Sequence, residues 1–206
     1  MRLRRVVPRL IVEIHCRLEP HLSVLQKGLS ASDFEIFSLP ERFALDVSEL
    51  DTRWKALQKE VHPDRFAAEG AAAQRVAMQW SVRVNEAHQR LRNPLKRAAY
   101  LCERWGVPIA AESNTAMPAE FLMQQMSWRE ELDEAQSAAE LEQLADTVQG
   151  SRQHHVAELA RLLDAPGNPN PPPVEQVEQA AQVLRALMFV DRFAADVNQR
   201  LDALEA

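Results

Sequence analysis

The stretch Glu60-Val61-His62-Pro63-Asp64-Arg65-Phe66 decides how the rest of this chain is read. Upstream of it, Leu50, Trp54, Leu57 and Val61 follow at spacings of four, three and four, which sets them on one face of an α-helix. Asp46 offers that helix an N-cap, with Glu49 three residues later, close to a capping box. The helix must stop near His62, because Pro63 disfavours α geometry in the residue before it. Residues 62–70 read as an exposed loop. Downstream, Val76, Trp80, Val84, Ala87 and Leu91 form the stripe of a second helix. Asn93-Pro94 then gives a cap followed by proline at the first helical position, and a further stretch through Ala98, Leu101 and Trp105 stops at Gly106.

Composition supports the same class. The 206 residues are 46% hydrophobic and 26% charged, with 5 Gly and 1 Tyr, and strong helix formers are abundant. β-Branched residues do not gather into alternating runs, so the fold class expected is all-α. A formal charge of −6 argues against broad nucleic-acid binding, which needs a cationic surface. Cys16 and Cys102 form no C-x-x-C pair, so neither a zinc ribbon nor a disulfide framework is suggested, and a reducing compartment fits best. No apolar run reaches the roughly 20 residues that span a bilayer. Arg2, Arg4, Arg5 and Arg9 crowd the start, as in a transit peptide, but Glu13, Glu19 and the shortage of Ser weaken that reading. Residues 1–31 are expected to be a poorly ordered extension.

Beyond Gly106, residues 107–117 read as a linker. Helices are expected over about 118–135, 138–163 and 174–204. The segment from Pro166 to Pro173 holds five prolines and cannot be helical. Three helices with short connections predict an antiparallel bundle over 118–206.

Within that bundle two helices carry more apolar surface than one stripe needs. At roughly 100° per residue, Phe121, Trp128, Leu132 and Ala135 make a core face. Leu122, Met123 and Met126 lie about 100–200° from Phe121, and Glu130 and Glu134 continue that second side. In the last helix, Val183, Leu187, Val190, Ala194, Val197, Leu201 and Leu204 form a stripe, whereas Phe189 falls about 200° from Leu187 beside Arg185 and Arg192. An apolar patch rimmed by charge marks a protein–protein site. Packing of Leu122, Met126 and Phe189 within one monomer would explain the pattern equally well.

Catalysis finds less support. His62 and Asp64 could serve acid–base chemistry, but no nucleophile, phosphate loop or metal-ligand set accompanies them. His154 and His155 point about 100° apart on a helix, so they cannot chelate one metal together, and His88 reads as structural. Lys55 and Lys59 lie opposite the apolar face of their helix, where like charges four apart repel. An acidic partner would account for them, and so would a solvated surface.

The order of Asp33-Phe34-Glu35-Ile36-Phe37-Ser38-Leu39, His62-Pro63-Asp64 between two helices, and Asn93-Pro94-Leu95-Lys96-Arg97-Ala98-Ala99-Tyr100 resembles a J-domain over about 32–106. The run Phe121 to Glu134 and the run Leu184 to Asp191 are similar to the scaffold-binding helix and its facing segment in HscB-type co-chaperones. The resemblance covers 32–206. It implies that His62, Pro63 and Asp64, with Lys55 and Lys59, engage a DnaK-class chaperone of the HscA type and stimulate its ATPase. It implies that Leu122, Met123, Met126, Glu130, Glu134 and Phe189 bind an IscU-type iron–sulfur scaffold protein. An adaptor of this kind is not an enzyme, holds no cofactor or metal, and acts without nucleic acid or membrane. The bacterial cytoplasm is its expected place, the mitochondrial matrix the alternative. Ser127 stands where relatives commonly carry an acid, Met126 where Leu is usual, and the proline-rich connection looks longer than typical. A general J-domain co-chaperone for other clients, the competing reading, would need a Gly/Phe-rich linker or cysteine-rich module, and neither is present.

Overall fold

Local sequence chemistry places each helix. The computed structural model describes residues 28–109, 117–164, 167 and 169–205. Ser32 caps α1 (Asp33–Ile36) with a capping box: its hydroxyl accepts from the Glu35 N–H at 3.1 Å, and its own N–H donates to the Glu35 carboxylate at 2.6 Å. Asp46 caps α2 (Val47–Glu60), accepting from the N–H groups of Ser48 and Glu49. The expected reciprocal bond from Glu49 is replaced, because its carboxylate pairs with Arg53 one turn on. A 3-10 helix (Pro63–Glu69) precedes α3 (Ala71–Arg92), so the segment expected as loop is ordered, with Phe66 buried against Ala73 and Ala77. Asn93 caps α4 (Pro94–Arg104). Then follow α5 (Ala119–Glu134), α6 (Ala138–Leu163) and α7 (Val174–Glu205). Among the described residues there is no strand, and no helix is long and apolar enough to cross a membrane.

Packing divides the described residues into two compact units, and the first takes residues 28–40 together with Leu45–Arg92. Here α2 and α3 lie side by side. Trp80, Val84, Ala87 and Leu91 are buried, as are Leu50, Leu57 and Val61. Polar groups fix the register: the Trp54 indole N–H and the Gln58 amide both donate to Asn85 Oδ1, at 2.9 and 2.7 Å. His88 stacks on Trp54 at 4.5 Å and meets the Asp51 carboxylate at 2.7 Å, as its structural reading anticipated. The buried carboxylate of Asp33 is paired with Arg83 at 2.6 Å and Arg90 at 3.2 Å, which anchors α1 on α3.

The second unit takes Glu41–Ala44 and the described residues from Asn93 onward. By packing it takes in α4 as well as the three helices expected over 118–206. The reason is the one-sided apolar face of α4. Ala98, Leu101 and Cys102 are fully buried, and α4 lies against α7. Burial also pushes the Cys102 thiol up to about 11, so it stays protonated at neutral pH. The strap Glu41–Ala44 is held by side chains of this same unit. Arg104 binds the Glu41 carboxylate through two nitrogens at 2.9 and 2.8 Å, and the Asp164 carboxylate accepts the N–H groups of Phe43 and Ala44. Phe121, Trp128, Leu144, Val148, Ala186, Val190, Phe193 and Val197 form the bundle core of α5, α6 and α7.

Residues 1–27 of the expected extension, with Cys16, lie outside the described residues. So do residues 110–116 of the expected linker, residue 165, residues 166 and 168 of the proline-rich connection, and residue 206.

Candidate functional site

The His-Pro-Asp corner is built by burying its two flanks. Val61 ends α2 at zero exposure and Phe66 is 5% exposed, so both neighbours of the corner point inward. Between them Pro63 fixes φ, and His62 takes the extended geometry (φ −62°, ψ 126°) that a following proline favours. The His62 ring accepts the Asp64 N–H through Nδ1 at 3.3 Å, and the Arg65 N–H donates to the His62 carbonyl at 3.0 Å. The side chains of His62 and Asp64 remain open to solvent, at 57% and 89% exposure. Such a corner presents two polar groups whose backbone is already fixed, so little ordering cost remains on binding.

Lys55 and Lys59 are exposed on α2. Each also has a local reason to be basic. Lys59 lies in the last turn, where the helix dipole favours a cation. Lys55 contributes to keeping the Asp51 carboxyl below its usual range, an effect led by the hydrogen bond from His88. The pair alone therefore identifies no partner. Arg65, which the sequence reading passed over, adds a third exposed cation, its guanidinium donating to the Lys59 carbonyl at 3.2 Å. Its position next to the motif was the available signal.

In the second unit α5 turns Phe121 and Trp128 inward and leaves Leu122, Met123 and Met126 at 45%, 62% and 63% exposure. Glu130 and Glu134 are exposed along the same side. Ser127, at the departure from the family pattern, bonds locally to Glu131 at 2.9 Å.

Phe189 lies only partly outside the bundle. It is half-buried, edge-on to Phe121 at 5.9 Å and stacked near Phe193 at 6.2 Å, with the Arg129 guanidinium 5.8 Å from its ring centre. Packing inside the bundle covers part of this ring and leaves the rest open. Arg185, read as lying on the polar side, is buried and donates to the Ile109 carbonyl at 3.2 Å. Both follow from α7 being covered by more than one helix, so its buried arc is wider than the single stripe expected. Leu204, expected in that stripe, is 43% exposed. Phe193 and Arg129 were not singled out from sequence. The i, i+4 spacing of Phe189 and Phe193 was the signal for the first, and nothing in the sequence marked the second. Among the described residues no group of three or more His, Cys, Asp or Glu side chains could hold a metal ion.

Comparison with known proteins agrees with this architecture. A family model described as the HSCB C-terminal oligomerisation domain matches residues 117–198. A co-chaperone protein HscB homologue of Burkholderia thailandensis is 47% identical over 181 residues, which covers 86% of this chain and 98% of that one. One from Paraburkholderia phymatum is 43% identical with the same coverage. The solved structure of the chaperone HscB from Vibrio cholerae superposes with a TM-score of 0.70 at 32% identity, over 84% of this chain and 99% of that one. The human co-chaperone HscB, at 22% identity and a TM-score of 0.72 over 85% of this chain and 83% of that one, shares the fold.

Proposed function

We propose, from the premise that this chain belongs to the HscB family of co-chaperones, that it brings an iron–sulfur-cluster scaffold protein to a DnaK-class chaperone and stimulates that chaperone's ATPase. The observation that carries this reading is the corner at His62, Pro63 and Asp64, with both flanks buried and its polar side chains outside. The scaffold site is the patch of Leu122, Met123 and Met126 with Glu130 and Glu134, which lies open beside a complete core. Phe189, half-buried against Phe121, offers less free surface than these residues do. Lys55, Lys59 and Arg65 supply positive charge near the corner for an acidic face of the chaperone. One chain carrying both sites raises the effective concentration of scaffold at the chaperone. The bacterial cytoplasm is the place this reading gives the protein.

Steady-state ATPase measurements with a purified HscA-type chaperone and an IscU-type scaffold test it. Scaffold and this protein together should stimulate hydrolysis more than either alone. His62→Gln should abolish the added stimulation while calorimetric binding of scaffold persists. Stimulation undiminished by His62→Gln would remove the corner from the mechanism.

A further inference from the structure

The apolar patch on α5 is built mainly on thioethers. The sequence holds six methionines, and Met123 and Met126 are exposed to 62% and 63%. Three residues apart on a helix, they are neighbours on one face, with Leu122 beside them. Met117, in contrast, packs against the bundle core. Met78 on α3 is 58% exposed but belongs to the first unit, outside the patch.

We propose that Met123 and Met126 are modification sites: a peroxide-class oxidant converts their thioethers to sulfoxides and thereby releases the scaffold. This rests on the reading that the patch binds the scaffold. In the step, a sulfur lone pair attacks one peroxide oxygen, the S–O bond forms as the O–O bond breaks, and water leaves when the oxidant is hydrogen peroxide. Sulfur gives up two electrons, and the peroxide takes them. A methionine sulfoxide reductase reverses the step, oxidising two thiols to a disulfide and returning the oxygen as water.

The consequence follows from the surroundings. A sulfoxide oxygen is a strong hydrogen-bond acceptor set on a side chain that was apolar. Glu130 and Glu134, along the same side, are acceptors as well and offer it no hydrogen bond. Taken into a dry interface, the oxygen must give up its hydrogen bonds to water, a cost that the apolar thioether does not carry. The expected loss of affinity is about tenfold or more, equivalent to about 1.4 kcal/mol. Leucine at both positions keeps similar volume and shape and cannot take up oxygen.

The test treats the full chain with hydrogen peroxide, maps added oxygen by peptide mass spectrometry, and measures scaffold binding by calorimetry before and after. Met123 and Met126 should be oxidised before Met117, and affinity should drop with them. Met78→Leu should respond as the unaltered protein does. The double variant Met123→Leu/Met126→Leu should keep one affinity, whatever its value, through the treatment. Reductase should restore the oxidised protein. Unchanged affinity with both sulfoxides mapped overturns the proposal, and so does an equal loss in the double leucine variant. Met126→Ala, never oxidised, separates the two levels. If it binds scaffold undiminished, the patch itself is misassigned; if it weakens binding while the sulfoxides do not, only the switch fails.

Discussion

Met126 and Trp128 sit two residues apart on α5, and truncating each to alanine should produce opposite results. Met126 is 63% exposed, so only about a third of its surface is covered in the monomer. Full burial of such a side chain is worth about 1.5–3 kcal/mol, so the buried third accounts for about 0.5–1 kcal/mol at most. Alanine's helix propensity recovers a few tenths of that. Trp128 is 2% exposed and stacks on Phe193 at 5.6 Å. Its removal leaves a cavity among Phe121, Leu144 and Val190 as well as losing its transfer energy. Changes of that kind cost about 3–5 kcal/mol, a large share of the roughly 5–15 kcal/mol of a whole domain. Urea denaturation followed by circular dichroism measures both stabilities, and calorimetry with scaffold measures binding. Met126→Ala should keep its midpoint and lose about 2 kcal/mol of binding as a hot-spot residue. Trp128→Ala should lose its midpoint. Equal destabilisation by the two would refute the division of α5 into a core side and a docking side.

Removal of the buried Asp33 carboxylate by Asp33→Ala takes away the anion shared by Arg83 and Arg90, and Arg83 keeps only its bond to the Ala31 carbonyl at 3.0 Å among those described. Broken buried pairs cost about 3–5 kcal/mol, and the lower end is expected, because the Arg90 side chain is 40% exposed and can turn to water; thermal denaturation checks this. Acid should destabilise the protein in a defined window. Asp51 is held low first by His88, Glu140 by the Gln136 N–H at the α6 cap, and Glu158 by Arg161. Carboxyls with depressed folded-state values stabilise above their unfolded values of 3.8 and 4.5, and this is lost as pH falls through the folded ones. Denaturation midpoints should thus be level from neutrality to about pH 4.5 and fall below it; a rise on acidification would contradict the assignment. A fragment ending at Gly106 should bind an apolar dye more strongly than one ending at Arg92, since it keeps α4 but removes α7, which covers Ala98, Leu101 and Cys102.

What the sequence determined by itself is local. Caps at Asp46 and Asn93, the halt before Pro63 and the core stripe of α3 from Trp80 to Leu91 depend on local neighbours and appear where the residues demand them, while Val76 at the start of that stripe is half-buried and Ala73 and Ala77 are buried beside it. The second apolar side of α5 was legible for the same reason, but whether it was exposed or packed within the monomer was not, and the structure leaves Leu122, Met123 and Met126 open. Tertiary structure alone decided what covers each face. Periodicity shows that α4 has an apolar side but not that α7 receives it, and no local rule ties Glu41–Ala44 to Arg104 and Asp164 across the sequence. Phe189 shows the limit most clearly. Its angle on α7 set it apart from the stripe, yet Phe121 and Phe193 stand beside it, because a long helix packed on several partners buries more of its circumference than one stripe can mark.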